Sequence, residues 1–348
     1  MTTFIDWINI AQNHIDGPDL PSICGGYLTR EDKDFKHEWT VGSFDRFEGS
    51  HDTSVSVRAF SRTVEVRGNV GRIDRFDNLF NHDIDGTKSI LNGRILGSLG
   101  LPPMTPAPPS WVEDDNRSHL RANSRFYPGA TVSLLHVTRN YATGSAKNAQ
   151  EFINYLATQS VANVKRSRAG ATSVAWGKKG GRKMIKGYIK APEMKAHTKS
   201  KLWTPEHQRL YEFCNDVGLV RLEMEMGRKL LEENGMRGLG GITMGKVIQL
   251  FDEMVERPLL NPQRFENGYA LDKLSRKARL AFLAWEKGVD LLADDFCSRA
   301  TLYRYAKEVR EVLGLSILEK RDFETLPVRY KVIEPKAIEV PEWYKMVA

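Results

Sequence analysis

The chain has 348 residues, 41% of them hydrophobic and 27% charged, with a formal net charge of +7. That length supports a sizeable core and two domains, and the composition is that of a globular chain rather than a disordered or fibrous one. No apolar run has the length of a membrane span, and three widely spaced cysteines give neither a disulfide framework nor a cysteine-rich zinc module. The opening MTTFIDWINI carries an acid where a signal peptide needs a basic segment, and the odd, scattered cysteines suit a reducing cytosol. Charge is unevenly spread. Residues 162–201 hold twelve Lys or Arg and one acid, Glu193, leaving the rest of the chain mildly acidic. Such a tract suits a polyanion, nucleic acid first; a solvated basic loop is the other explanation.

In chain order, the first hundred residues read as β-rich. SVSVRAF (54–60) and TVEVRG (63–68) alternate with the period of strands. LPPMTPAPPS (101–110), with five prolines, reads as a linker or surface excursion. ATVSLLHVTRNY (130–141) predicts a strand, and a helix follows from Ser145 to about 159 with Phe152, Ile153, Leu156 and Ala157 on one face. ATSVAWGKKGGRKMIKGYIKA (171–191) predicts a hairpin turned by Gly180 and Gly181. Thr204 and Pro205 open a helix, and Gly218 sits where its C′ residue belongs. In LVRLEMEM (219–226), Val220, Leu222, Met224 and Met226 point one way and Arg221, Glu223 and Glu225 the other. Beyond about 237 the pattern is helical. The prediction is an α+β fold: a β-rich part at 1–100, a proline-rich linker at 101–118, a core at 119–236 and a helical region at 237–348.

Three places could carry chemistry. On the second strand of the 171–191 hairpin, Lys186, Tyr188 and Lys190 share a face. A free phenol has a pKa of about 10. Nearby ammonium groups would favour the phenolate and attract a phosphodiester. Taken alone, Tyr188 also reads as a β-favouring residue with snorkelling lysines. Second, Glu223 and Glu225 share the polar face of their strand, and His136 lies in line with Thr138. Carboxylate plus imidazole suits Mg²⁺ or Mn²⁺, although a hydrogen-bonded His and a solvated Glu face are the plainer reading. Third, a helix over about 276–292, a short DDF turn and a helix from Ser298 to Gly314 have helix-turn-helix spacing. Arg299, Arg304 and Lys307 lie on its polar side, a pattern that any two packed helices share.

Together and in order, these segments resemble the gene II/phage X family of filamentous-phage replication initiators. The resemblance rests on VSLLHVTRNYATGSAKNAQEFINYL, on Tyr-x-Lys-x-x-Glu at Tyr188, Lys190 and Glu193, and on Leu-Val-Arg-x-Glu at Arg221 and Glu223. VEVRGNVGRIDRFDNLF upstream and the ending VPEWYKMVA complete it, over about residues 55–348. It implies an HUH-like rolling-circle endonuclease in the cytoplasm of a bacterial host. Such a protein nicks the double-stranded replicative form at the origin and keeps the 5′-phosphate on a tyrosine. The freed 3′-hydroxyl primes host DNA polymerase behind a host helicase, and the displaced strand is later cut and joined.

Carried onto this chain, Tyr188 is the nucleophile, Lys186 and Lys190 serve the phosphate, and His136, Glu223 and Glu193 hold Mg²⁺ or Mn²⁺. Lys178, Lys179, Arg182 and Lys183 contact the DNA backbone. The strand reads His136-Val137-Thr138 where the wider group has a second His, and the phage relatives put Asp where His136 stands. Glu225 has no counterpart in the family pattern. A non-catalytic DNA-binding repressor or replication accessory is the alternative, and an RNA-binding protein fits less well because RNP-type aromatic strands are missing.

Overall fold

A computed structural model describes residues 2–14, 18–108, 110–111, 125–161, 166–198, 202–260, 271–293, 296–319 and 333–344. Residues 109 and 112–118 of the proline-rich segment, Lys165, Lys199 and Lys201 of the basic tract, and Asp294 and Asp295 of the DDF turn lie outside them. The strands, in chain order, are β1 (Thr3–Asn13), β2 (Tyr27–Glu31), β3 (His37–Gly42), β4 (Asp45–Glu48), β5 (Ser54–Phe60), β6 (Thr63–Gly68), β7 (Ser110–Trp111) and β8 (Arg125–Phe126). They continue with β9 (Thr131–Ala142), β10 (Arg166–Gly170), β11 (Ser173–Gly177), β12 (Lys183–Ile189), β13 (Leu219–Gly227) and β14 (Lys336–Ala337).

Ten of these form one antiparallel sheet in the order β10-β11-β12-β13-β9-β1-β6-β5-β4, with β14 pairing the end of β9. The architecture is α+β, with the sheet followed by a mostly helical C-terminal region. No helix among the described residues is long and apolar enough to cross a membrane.

Period-two alternation decides which side chains enter the main core. Val220, Leu222, Met224 and Met226 of β13 join Ile5, Ile8 and Ile10 of β1 and Leu135 and Val137 of β9. A short helix after β6, α1 (Ile84–Ser89), adds Ile84 to this core. Helix α2 (Ala146–Thr158) covers it with Phe152, Ile153 and Leu156, and Ser145 caps α2 by accepting a hydrogen bond from the Asn148 amide.

The opposite face is the surprise. Alternation predicts a polar side for β13, yet all nine of its residues are buried, Arg221 at 0%, Glu225 at 3% and Glu223 at 7% exposure. Parts of the chain distant in sequence cover it: residues 79–80, α3 (Lys190–His197), α4 (Pro205–Asp216) and Tyr344, which form a second core with Phe4.

The hairpin also departs from expectation at its end. Strand β12 stops at Ile189, and Lys190 is the first residue of α3. Pro192 fits in that first turn, where its missing N–H has no intrahelical partner to lose. Lys190 therefore leaves the strand face of Lys186 and Tyr188.

In the C-terminal region, helix Arg276–Glu286 is shorter than the predicted span to 292, because Gly288 turns left-handed at φ 92. Helix Arg299–Leu313 has its expected caps, Ser298 and a left-handed Gly314. The two helices share a separate apolar cluster that includes Phe282, Trp285, Leu302 and Val309.

Gly218 joins α4 to β13 at φ +60, and a Cβ there would lie 2.0 Å from the Ser145 carbonyl oxygen. Neither backbone segment can yield without moving β13 or the α2 cap. Gly218→Ala is expected to destabilise the fold by about 2 kcal/mol or more, measured by urea unfolding.

Candidate active site

A cleft of about 790 Å³ opens on the second face of the sheet, lined by Asp6, Asn78, Lys186, Tyr188, Glu193 and Glu223 among others. Strand pairing builds its floor. In the β12–β13 register Lys186 stands opposite Glu223 and Tyr188 opposite Arg221, while Glu225 stands opposite His136 of β9. Strand β1 contributes through an irregularity. Its pairing with β9 shifts between Ile5 and Trp7, so that Ile5 and Ile8 both reach the core while Asp6 lines the cleft and Trp7 packs on His136. Bulges re-aim side chains in this way beside functional sites.

The phenol of Tyr188 donates to Glu223 Oε1 at 2.5 Å. Burial, then the Glu223 charge, pushes the Tyr188 pKa well above that of a free phenol. Burial and the neighbouring Asp6 raise Glu223 in turn. The expected lysine field around the phenol is absent from this arrangement. Lys186 Nζ lies 2.5 Å from Glu225 Oε1 and 4.0 Å from Glu223 Oε2. Lys190 is buried and donates to Glu193 Oε2 at 2.7 Å and to Asn78 Oδ1 at 2.9 Å. On Glu193 burial opposes the charged form, but Lys190 holds the carboxyl below its usual range.

His136 stacks on Trp7, with ring centroids 6.1 Å apart. Burial lowers its pKa to about 4, which keeps the imidazole neutral. Its Nε2 is buried without a hydrogen-bond partner, 3.9 Å from Glu225 Oε1. The expected metal trio of His136, Glu223 and Glu193 is not brought together. Each faces a different partner: Glu225, Tyr188 and Lys190 respectively. Among the described residues no three His, Cys, Asp or Glu side chains form a group that could hold a metal ion.

The remaining predicted residues are scattered. Lys178 and Lys179 are exposed at the hairpin turn, Arg182 pairs with Glu233 at 2.9 Å, and Lys183 is half-buried with its pKa lowered by burial. Arg299, Arg304 and Lys307 are exposed on the C-terminal helix, with Lys307 3.9 Å from Glu311.

Sequence reasoning missed Asp6, Trp7 and Asn78, and set Glu225 aside. A signal for Asp6 was present in FIDWINI, where core residues Ile5 and Ile8 are three apart and break the period of two. Other tyrosines are placed elsewhere: Tyr141 and Tyr155 are in the main core, and Tyr211 packs on Trp203 and Lys195.

Under the cleft, Arg221 donates to Asn140 Oδ1 at 2.9 Å and to the carbonyls of Asn78 and Leu79 at 2.8 and 2.7 Å. Arg221→Met would leave those acceptors and the surrounding carboxylates uncompensated. It is expected to cost about 3 kcal/mol or more in urea unfolding.

Over residues 5–249 the sequence matches the family of the N-terminal part of the phage replication-associated protein, the gene II protein. The replication-associated gene II protein of Escherichia phage If1 is 32% identical over 233 residues, spanning 61% of this chain and 70% of that protein. Among solved structures, a rolling circle replication initiator protein from Geobacillus stearothermophilus matches 73% of this chain and 84% of its own, at 8% identity and a TM-score of 0.30. A likeness that distant carries no residue correspondence.

Proposed function

Because the chain belongs to the family of gene II replication-associated proteins, we propose that it starts rolling-circle replication by nicking one strand of origin DNA, with Tyr188 as nucleophile. The observation that carries this reading is the Tyr188 hydroxyl held at 2.5 Å by a buried carboxylate, Glu223, in a cleft open to solvent.

Glu223 takes the phenolic proton, and the phenolate oxygen attacks the scissile phosphorus. The bond to the 3′-oxygen breaks, that oxygen leaves as a hydroxyl after gaining a proton, and the 5′-phosphate remains on Tyr188. One phosphate ester replaces another, so the step can run backwards and rejoin strands without ATP. A carboxylate whose pKa is raised by burial and by Asp6 suits the base role, since a base works best with a pKa near the operating pH. Arg221, cross-strand from Tyr188, favours the phenolate once the proton has moved. Lys186, 30% exposed and paired with Glu225, would turn to the phosphate, and Lys190 anchors Glu193 and Asn78.

The family reading includes a divalent cation, Mg²⁺ or Mn²⁺. The side chains as they stand are paired with one another rather than arranged as ligands, with Lys186 at Glu225 and the phenol at Glu223. The exposed Arg299, Arg304 and Lys307 would read or grip duplex origin DNA, and the freed 3′-hydroxyl would prime host polymerase behind a host helicase.

The direct test mixes the protein with labelled origin single strand and Mg²⁺ or Mn²⁺, followed by a denaturing gel and peptide mapping. A covalent adduct on Tyr188 is expected. Tyr188→Phe should abolish cleavage and adduct while lowering DNA affinity by no more than about 1 kcal/mol, the contribution of one hydroxyl. An adduct on another tyrosine removes Tyr188, and no adduct at all favours a non-catalytic DNA binder.

The basic hairpin should act through charge alone. The double substitution Lys178→Ala and Lys179→Ala is expected to weaken all DNA sequences alike and to flatten the salt dependence of binding by roughly 2 in the log–log slope. Arg182→Ala should change that slope less, because Glu233 already takes its charge. Equal slopes for wild type and the double variant would place both lysines away from the DNA.

A further inference from the structure

We propose that a second cavity, built around Arg72 and adjoining the Tyr188 cleft, holds a phosphodiester of the DNA strand next to the one that is cut. This rests on the strand-nicking reading above, and it adds a binding residue that the reaction scheme does not use.

The two hollows share Asn78, Glu193 and His197 in their linings, so they are neighbours, and a strand seated in one would run on toward the other. Arg72 lines only the second, and its Nε is buried without a hydrogen-bond partner. A buried, unanswered donor on a permanently charged group is costly, and the rest of that guanidinium group borders a cavity that could take an acceptor.

The acids of the same cavity already have hydrogen-bond partners. Asp77 Oδ1 accepts from the Tyr344 hydroxyl and from the Leu79 amide, each at 2.7 Å, and Glu193 is paired with Lys190. Arg72 brings a permanent positive charge to this cavity, and its planar fork matches phosphate oxygens.

The rest of the wall suits a nucleotide rather than a bare ion. Phe76 and His207 meet edge to face at 5.0 Å, and Trp203 stacks behind His207 at 5.7 Å. The Nδ1 of His207 accepts from the Thr204 amide at 3.2 Å and lies 2.9 Å from its hydroxyl, which fixes the orientation of the ring. His197, exposed in the last turn of α3, stands at the junction of the two hollows.

The test follows the ¹³C-labelled imidazole signals of the full chain by NMR during titration with thymidine 5′-monophosphate, without divalent metal. Saturable shifts at His197 and His207 are expected, with thymidine itself giving none. Arg72→Ala should weaken the binding about tenfold or more, as for loss of a charge-assisted phosphate contact. Arg72→Gln serves the same purpose should the Ala variant fail to fold, and an oligothymidylate single strand should displace the mononucleotide.

Undiminished binding in both Arg72 variants overturns the proposal, as do equal shifts with thymidine. Failure of the single strand to compete would make the cavity a seat for a free nucleotide and would overturn it too. The readout involves no cleavage, so it succeeds or fails independently of where a covalent adduct maps.

Discussion

The second face of the sheet depends on one buried cation. Arg221 is fully enclosed, and a guanidinium keeps its proton at any accessible pH, so the fold has to answer a permanent charge away from water. It does so with the Asn140 side chain and with two backbone carbonyls from residues 78 and 79, which draw that segment across the sheet. Burial works against the charge. The neighbouring Tyr188, Asp6, Glu223 and Glu193 outweigh it and raise the Arg221 pKa. The same arrangement lets several carboxylates pack together on one wall of a cleft without driving one another apart.

Those carboxylates then become chemically distinct through their partners. Glu193 has the buried ammonium of Lys190, and Glu225 has Lys186. Glu223 is buried with another acid, Asp6, nearby, so its proton affinity rises, while Lys190 makes that of Glu193 fall. Pairs of like groups pushed in opposite directions are the usual source of acid and base roles in one site. Here the division is made by which lysine reaches which carboxylate, and two of the three pairings run between elements.

The cover of the cleft reaches to the far end of the chain. The Tyr344 hydroxyl donates to Asp77 at 2.7 Å and accepts from Arg75 at 2.6 Å, and its ring packs on Phe80. It thereby clamps the segment whose carbonyls hold Arg221 and whose Asn78 holds Lys190. At the opposite terminus, β1 lies between β9 and β6 and brings Asp6 to the same cleft. Residues hundreds of positions apart thus bear on one cleft.

The local features were legible without the structure. Period-two alternation marked β5, β6 and β13, β9 was visible as a strand candidate, and capping chemistry marked Ser145, Thr204, Gly218, Ser298 and Gly314, because these signals depend on residues within one turn or one strand. Tyr188, Glu223, His136 and the Lys190–Glu193 pair were also visible as residue types at suggestive spacings. Their partners were not. Alternation shows that β13 has two unlike faces, but not that Leu79, Met194 and Tyr344 arrive to bury the polar one. Nor does a single strand reveal that Lys186 will reach Glu225, that Tyr188 will lie against Glu223, or that a bulge will turn Asp6 toward them. Those contacts are set by inter-strand register and by covering segments far away in sequence. The side-chain chemistry was therefore written in the chain, while the protonation and pairing of each group were decided only when the sheet closed around Arg221.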